Sequence, residues 1–204
     1  MWIEGIRIHP SYRRRGFAKN LLKHCEELSK QKNCLTAQML IETNNSNSIN
    51  LAKSLDYAIK ETWNFYSFEK ATSQTNKESD HILTQNRKDV LLSSDFSYVD
   101  SWRWYWLNND KINILSKERR IIFSQNDSVL SVAIYIDSKH FENTVIVTIL
   151  TGNDDGIRNI LQQIQSISLE KNYTRIQILT KLTSLPSISG LEKKLSFHLV
   201  EKQL

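Results

Sequence analysis

Two cysteines, Cys25 and Cys34, are all that 204 residues contain. That is too few for a disulfide framework, and no Cys/His spacing of zinc type accompanies them. His9, His24, His81, His140 and His198 are scattered along the chain, and none of them takes a metal or catalytic role. No run of 18 apolar residues exists, and the first residues alternate instead of forming the apolar centre of a signal peptide. These absences exclude a cystine-stapled scaffold, a zinc module and a hydropathy-defined membrane span. A reducing, cytoplasmic location is the default that remains. An apolar share of 40% and a charged share of 24% are ordinary for a globular chain, so disorder is not expected.

What is present is positive charge, unevenly placed. The formal charge is +5. Arg7, Arg13, Arg14, Arg15, Lys19 and Lys23 crowd the start of the chain against the one acid Glu4. An anionic partner is implied, and nucleic acid, a phosphorylated cofactor and a membrane surface all satisfy that condition.

Alternation and β-branched residues make "WIEGIRI", residues 2–8, a strand stopped by Pro10. Ala18, Leu21, Leu22, Cys25 and Leu28 form one stripe over residues 16–31, which predicts a helix with Cys25 as a small core residue. "CLTAQMLIE" reads as a buried strand, "SNSINLAKSL" as a short capped helix and "ETWNFYSFE" as an aromatic strand. The order predicts a crossover with parallel pairing of the first two strands. Residues 70–81 are polar and aperiodic, a linker. Beyond them, "RRIIFSQ", "VLSVAIYI" and "NTVIVTIL" are strands, "GIRNILQQIQSISLEK" a helix, "RIQILT" a strand, "ISGLEKKL" a short helix and "FHLVEKQ" a last strand. This ending echoes the element order of residues 2–69.

The stretch "RRRGFA", Arg13–Ala18, lies between a strand end and a helix start. There the first helical N–H groups lack internal partners and the macrodipole is positive, so an anion is held by several donors at once. Gly16 permits a positive φ and close approach, Ala18 keeps the helix start clear, and the arginines add charge-assisted bonds.

With its flanks, "IRIHPSYRRRGFAKNLL" resembles the acetyl-CoA motif of the GNAT superfamily of N-acetyltransferases: an apolar strand, a proline, then R-x-x-G-x-A. "NNSNSINLAKSLDY" is similar to the family's later helix, with Asn45, Ser48, Leu51 and Leu55 on pattern and Tyr57 at the aromatic position. The resemblance covers residues 2 to about 69. It implies an α/β (α+β) fold, a GNAT-type mixed sheet with flanking helices. It also implies acetyl transfer from acetyl-CoA to a primary amine by direct attack in a ternary complex, without a metal. On its terms the backbone of Ile6, Arg7 and Ile8 pairs with the pantetheine arm. The N–H groups of Arg13, Arg14, Arg15, Gly16, Phe17 and Ala18 hold the pyrophosphate, Asn45 touches the cofactor near its thioester, and Glu4 matches a proposed general base.

The chain departs from the family pattern in three ways. Ala52 stands where a thiolate-protonating tyrosine is common, and Asp56 stands where glycine is usual. The family's first strands and acceptor-shaping helices have no counterpart before residue 2, so the expectation is that Met1 is not the start of the natural domain. Residues 82–204 resemble the same fold more faintly. "LEKKLSF" is similar to the family's ending with Ser196 for glycine, and "TGNDDGIRN" carries Asp154 and Asp155, which would repel a pyrophosphate. The expected organisation is residues 1–69 as the C-terminal half of one GNAT domain, 70–81 as linker and 82–204 as a degenerate second copy.

Two other classes compete. One is a catalytically silent CoA-binding or structural remnant. The other is a nucleic-acid binder using the basic start and the row Trp102, Trp104 and Trp106, which share a face if extended. Packing is the commoner use of such a row, which makes nucleic acid the weaker reading. No membrane partner is expected. An open apolar edge on the first strand would favour self-association.

Overall fold

The computed structural model describes residues 1–71, 79–126 and 128–204. The middle of the expected linker, 72–78, lies outside the described residues. The chain forms two compact units, Met1–Trp63 with Leu195–Leu204, and Asn64–Lys194.

In the first unit, β1 (Trp2–Ile3) is followed by a 3-10 turn at Pro10–Tyr12, α1 (Phe17–Gln31), β2 (Thr36–Glu42), α2 (Ser46–Lys53) and the start of β3 (Ala58–Phe68). β1 and β2 are parallel, as the crossover pattern predicts. The neighbour of β2 on its other side is the end of the chain's last strand, β10 (Leu191–Gln203), which runs antiparallel to it from Phe197↔Glu42 to Gln203↔Thr36. The strand "FHLVEKQ", expected to close the second section, therefore belongs with the first. The residues "LEKKL" expected as helix are extended and begin β10.

β2 alternates, with Ala37, Met39 and Ile41 buried against Leu22, Ala52, Leu55, Tyr57 and Val200. It is thus half-buried, not buried on both faces. α1 is rotated from its expected setting. Leu21 and Leu28 are 46% and 42% exposed, while Glu26 and Ser29 are buried with Leu22. The cause lies far along the sequence: Lys202 on β10 donates to Glu26 Oε2 at 2.8 Å. A carboxylate can therefore occupy the inner face. Burial, with Glu26 beside it, raises the Tyr57 hydroxyl well above the ordinary tyrosine range.

In the second unit the strand order is β3, β9 (Arg175–Thr180), β8 (Thr144–Thr151), β7 (Val129–Asp137), β6 (Ile121–Asn126). β8 and β9 are parallel and joined through α5 (Asp154–Glu170); the other pairs are antiparallel. Ile157, Ile160, Leu161 and Ile164 of α5 pack on one face. On the other lie α3 (Gln85–Ser93), α4 (Asn109–Lys117) and the hairpin of β4 (Ser97–Asp100) with β5 (Arg103–Trp106), through Leu91, Tyr98, Ile112 and Leu115. Ser101 and Trp102 form the hairpin turn with φ of 51° and 63°. That turn breaks the supposed tryptophan row: Trp104 is 7% exposed and Trp106 48%, so no continuous stacking face forms.

The buried pair gives a stability prediction. Lys202→Met strands the Glu26 carboxylate and lowers the unfolding free energy by about 3 kcal/mol in a urea titration, whereas Glu26→Leu combined with Lys202→Met recovers most of it. Equal midpoints for the single variant and the parent would refute this role.

Candidate active site

The site is built by what β1 fails to do. Its ladder with β2 is two residues long, Trp2↔Gln38 and Ile3↔Met39, although β2 continues to Glu42. The expected strand over residues 2–8 is therefore cut short. Gly5 has φ +72°, a left-handed conformation, and residues 4–8 turn out of the sheet from there. A cleft of about 440 Å³ fills the opening, lined by Glu4 to Ile8 on one side and Met39 to Ile41 on the other. Ser48 and Ala52 of α2 close it, and Ala18 and Leu22 of α1 line it as well.

The chain then tightens into the turn at Pro10. His9 Nδ1 accepts from the Ser11 N–H, and the N–H groups of Tyr12 and Arg13 close the turn onto the His9 and Pro10 carbonyls. Arg14 and Gly16 follow with φ of 60° and 81°. The first ladder bond of α1 runs from the Asn20 N–H to the Gly16 carbonyl, 3.0 Å. The N–H groups of Phe17, Ala18 and Lys19 consequently precede the ladder, and no side chain caps them. The first turn of α1 holds no acid. A Cβ at Gly16 would meet nothing within 4 Å. The result is a second cavity, about 520 Å³, lined by Tyr12, Arg13, Arg14, Gly16, Phe17 and Lys19 and sharing Ile8, Ala18, Asn47 and Leu51 with the cleft. It is a positively charged helix N-terminus open to an anion.

The expected residues divide between these places. Glu4, Ile6, Arg7, Ile8 and Ala18 line the cleft; Ile8, Arg13, Arg14, Gly16, Phe17 and Ala18 line the anion cavity. Arg13 has a more specific position than a phosphate ligand would need. Its N–H closes the turn, and its Nε donates to the Ile8 carbonyl at 3.1 Å, tying the loop to the segment that leaves the sheet. Arg15 lies outside both linings, with its guanidinium 5.7 Å from the Tyr12 ring centre. Asn45 lines neither cavity: its Oδ1 accepts from the Ser48 N–H at 3.1 Å and caps α2. Asn47, Ser48 and Leu51, on the face that this cap sets, line the space instead. The signal for them was the cap: once Asn45 starts the helix, residues 47, 48, 51 and 52 fall on adjoining turns of one side. Trp2 Nε1 donates to Glu4 Oε2 at 3.2 Å.

The second unit's parallel crossover is arranged otherwise. β8 and β9 stay paired from Thr144↔Arg175 to Ile149↔Thr180. At the start of α5, Asn153 Oδ1 accepts from the Gly156 N–H at 2.9 Å, and Asp154 and Asp155 occupy the first turn. The helix start presses on β7, where a Cβ at Gly156 would lie 2.0 Å from Ser131 Oγ. Among the described residues no three of His, Cys, Asp and Glu gather as a metal set. No described helix is long and apolar enough to cross a membrane.

Residues 1–57 match the acetyltransferase (GNAT) family. The chain as a whole has the fold of solved members of that group. It aligns over 100% of its length with 69% of a Thermoplasma acidophilum protein designated an acetyltransferase, at 14% identity and a TM-score of 0.59. It aligns over 96% with 70% of a GCN5-related N-acetyltransferase from Sphaerobacter thermophilus, at 12% identity and a TM-score of 0.59. No curated protein matches the chain. The family match thus lies in residues 1–57, and the fold of the chain is similar to that of these two solved structures.

The turn at Gly5 is testable by itself. Since a Cβ there would meet nothing within 4 Å, only the backbone conformation opposes a side chain. Gly5→Ala should lower stability by about 1 kcal/mol and Gly5→Asn by less, because asparagine tolerates the left-handed region better. A neutral Gly5→Ala in urea unfolding would rule out the left-handed turn.

Proposed function

We propose that the chain moves acetyl from acetyl-CoA to a primary amine by direct attack in a ternary complex, with the cosubstrate held by the first unit. The observation that carries this reading is the opening of the β1–β2 ladder at Gly5, directly onto the free N–H groups of α1. The residues present suit a long ligand that is anionic at one end. The N–H groups of Phe17, Ala18 and Lys19, with the arginine-rich loop, hold its pyrophosphate. The released backbone of Ile6, Arg7 and Ile8 pairs with its arm as an added strand does, while Arg13 steadies Ile8. Glu4, in the cleft, accepts the proton from the attacking amine, through water. As the C–N bond forms and the C–S bond breaks, the departing thiolate takes its proton from water, because Ala52 offers no acid.

That same Ala52 supports a second reading, a catalytically silent CoA binder. The paired strands, capped helix start and acids of the second unit support its assignment as a degenerate copy, in a tandem arrangement divided as Met1–Trp63 with Leu195–Leu204 and Asn64–Lys194 and not at the expected 70–81. A cytoplasmic location, an acceptor that is a small amine or a protein, and association through the β1 edge complete the proposal.

Calorimetry with acetyl-CoA tests it. The parent binds, and Gly16→Glu, which places a carboxylate at the helix start, weakens binding at least about tenfold. Absence of binding, or equal binding by both, overturns the reading. Thiol release with a panel of amines separates the enzyme from the silent binder.

A further inference from the structure

The second unit holds a cavity of about 370 Å³ between α4, β4 and the end of β7. It lies at the other end of the sheet from the start of α5. β7 and β8 are antiparallel with Asp137 opposite Val145, so the cavity sits beside the start of β8, whereas α5 follows that strand's end at Thr151. From Val145 to Thr151 the strand spans about 20 Å.

One wall is a face of α4. Lys111, Ile114, Leu115 and Glu118 recur at helical spacing and all line the cavity. That face carries a cation at one end, a carboxylate at the other and two apolar side chains between, with the charged positions about 10 Å apart along the axis. The other charges around the cavity are matched, Arg120 with Asp137, and Lys139 with Asp100 at 2.8 Å. Glu118 has no hydrogen bond or ion pair to a described residue. It follows the last turn of α4, where the macrodipole disfavours a carboxylate and favours a cation. Lys111 Nζ donates to the Trp106 carbonyl at 3.0 Å and keeps two further donors. Ile136 and Tyr98 complete the lining. Burial, then Asp100, Tyr105 and Glu118, raise the Tyr98 hydroxyl above the ordinary tyrosine range and keep it neutral.

We infer that this cavity is a binding site for an ω-amino carboxylate, a small molecule whose ammonium and carboxylate are joined by an alkyl stem. The ammonium is matched by Glu118, with the Tyr98 oxygen as a further acceptor, and the carboxylate by Lys111. The stem lies on Ile114, Leu115 and Ile136. A plain amine or a plain carboxylate leaves one protein charge unmatched. A peptide of similar length sets its amides against apolar side chains that offer them no partner. The site is independent of the proposed cosubstrate site, which lies in the first unit.

Amide NMR of the full chain tests this with 6-aminohexanoate, and with hexanoate, hexylammonium and triglycine as controls. Saturable shifts are expected at Tyr98, along residues 111–118 and at residues 136–138, with a Kd of about 1 mM for so small a ligand. Each control should bind at least about tenfold more weakly, for want of one charged contact or of the apolar stem. Glu118→Gln and Lys111→Met should each cost about tenfold with 6-aminohexanoate. The exchanged pair, Lys111→Glu with Glu118→Lys, should bind better than either reversal alone, because the probe can turn round. Hexylammonium, hexanoate or triglycine binding as tightly as 6-aminohexanoate would overturn recognition of both ends and the stem. Absence of saturable shifts in the folded parent would overturn the site, whatever the outcome with acetyl-CoA.

Discussion

Unpaired backbone hydrogen-bond donors are the constraint on which the first unit depends. A parallel pair normally keeps its ladder, because a buried N–H without a partner costs free energy that folding must recover elsewhere. Here the ladder is given up after Ile3, and the helix that follows begins without a side-chain cap. The two breaks face cavities that share Ile8, Ala18, Asn47 and Leu51, and a glycine with positive φ lies beside each break. The polar groups that the sheet and helix leave unsatisfied are arranged along one path. The cleft and the anion cavity follow from that.

The second unit shows the same crossover with its ladder closed and its helix start capped. Strands β8 and β9 remain paired over six positions, and Asn153 caps the helix. Ser131 fills the space above Gly156, and the first-turn acids complement the macrodipole that an anion would otherwise neutralise. The chain thus carries a parallel strand–helix–strand crossover twice and opens the ladder of one of them. The difference lies in a few residues at each helix start.

How much of this was legible in the sequence varies by physical origin. The crossover, and the helix start behind a glycine at Gly16, could be read because both are local: periodicity, a glycine and a helix start. The short β1 could not, since alternation over residues 2–8 persists whether or not a neighbour pairs with it; only the left-handed Gly5 marks the break. The inner face of α1 was misjudged at Leu21 and Leu28 because Glu26 is tolerated only through Lys202, 176 residues away. The placement of the last strand beside β2 is likewise a long-range fact with no local sign. At the site, the asparagine that pattern favoured, Asn45, is a structural cap, and Asn47, on the helix side which that cap sets, lines the cleft.

The central claim is that the opened crossover, and not the closed one, receives the anionic end of a ligand. Amide NMR of the full chain during titration with CoA tests it most directly. The account predicts large shifts for residues 6–8 and for Arg14, Gly16, Phe17, Ala18 and Lys19, with Asp154, Asp155, Gly156 and Ile157 unmoved. Shifts centred on the start of α5, or none at the start of α1 under saturating CoA, would contradict it.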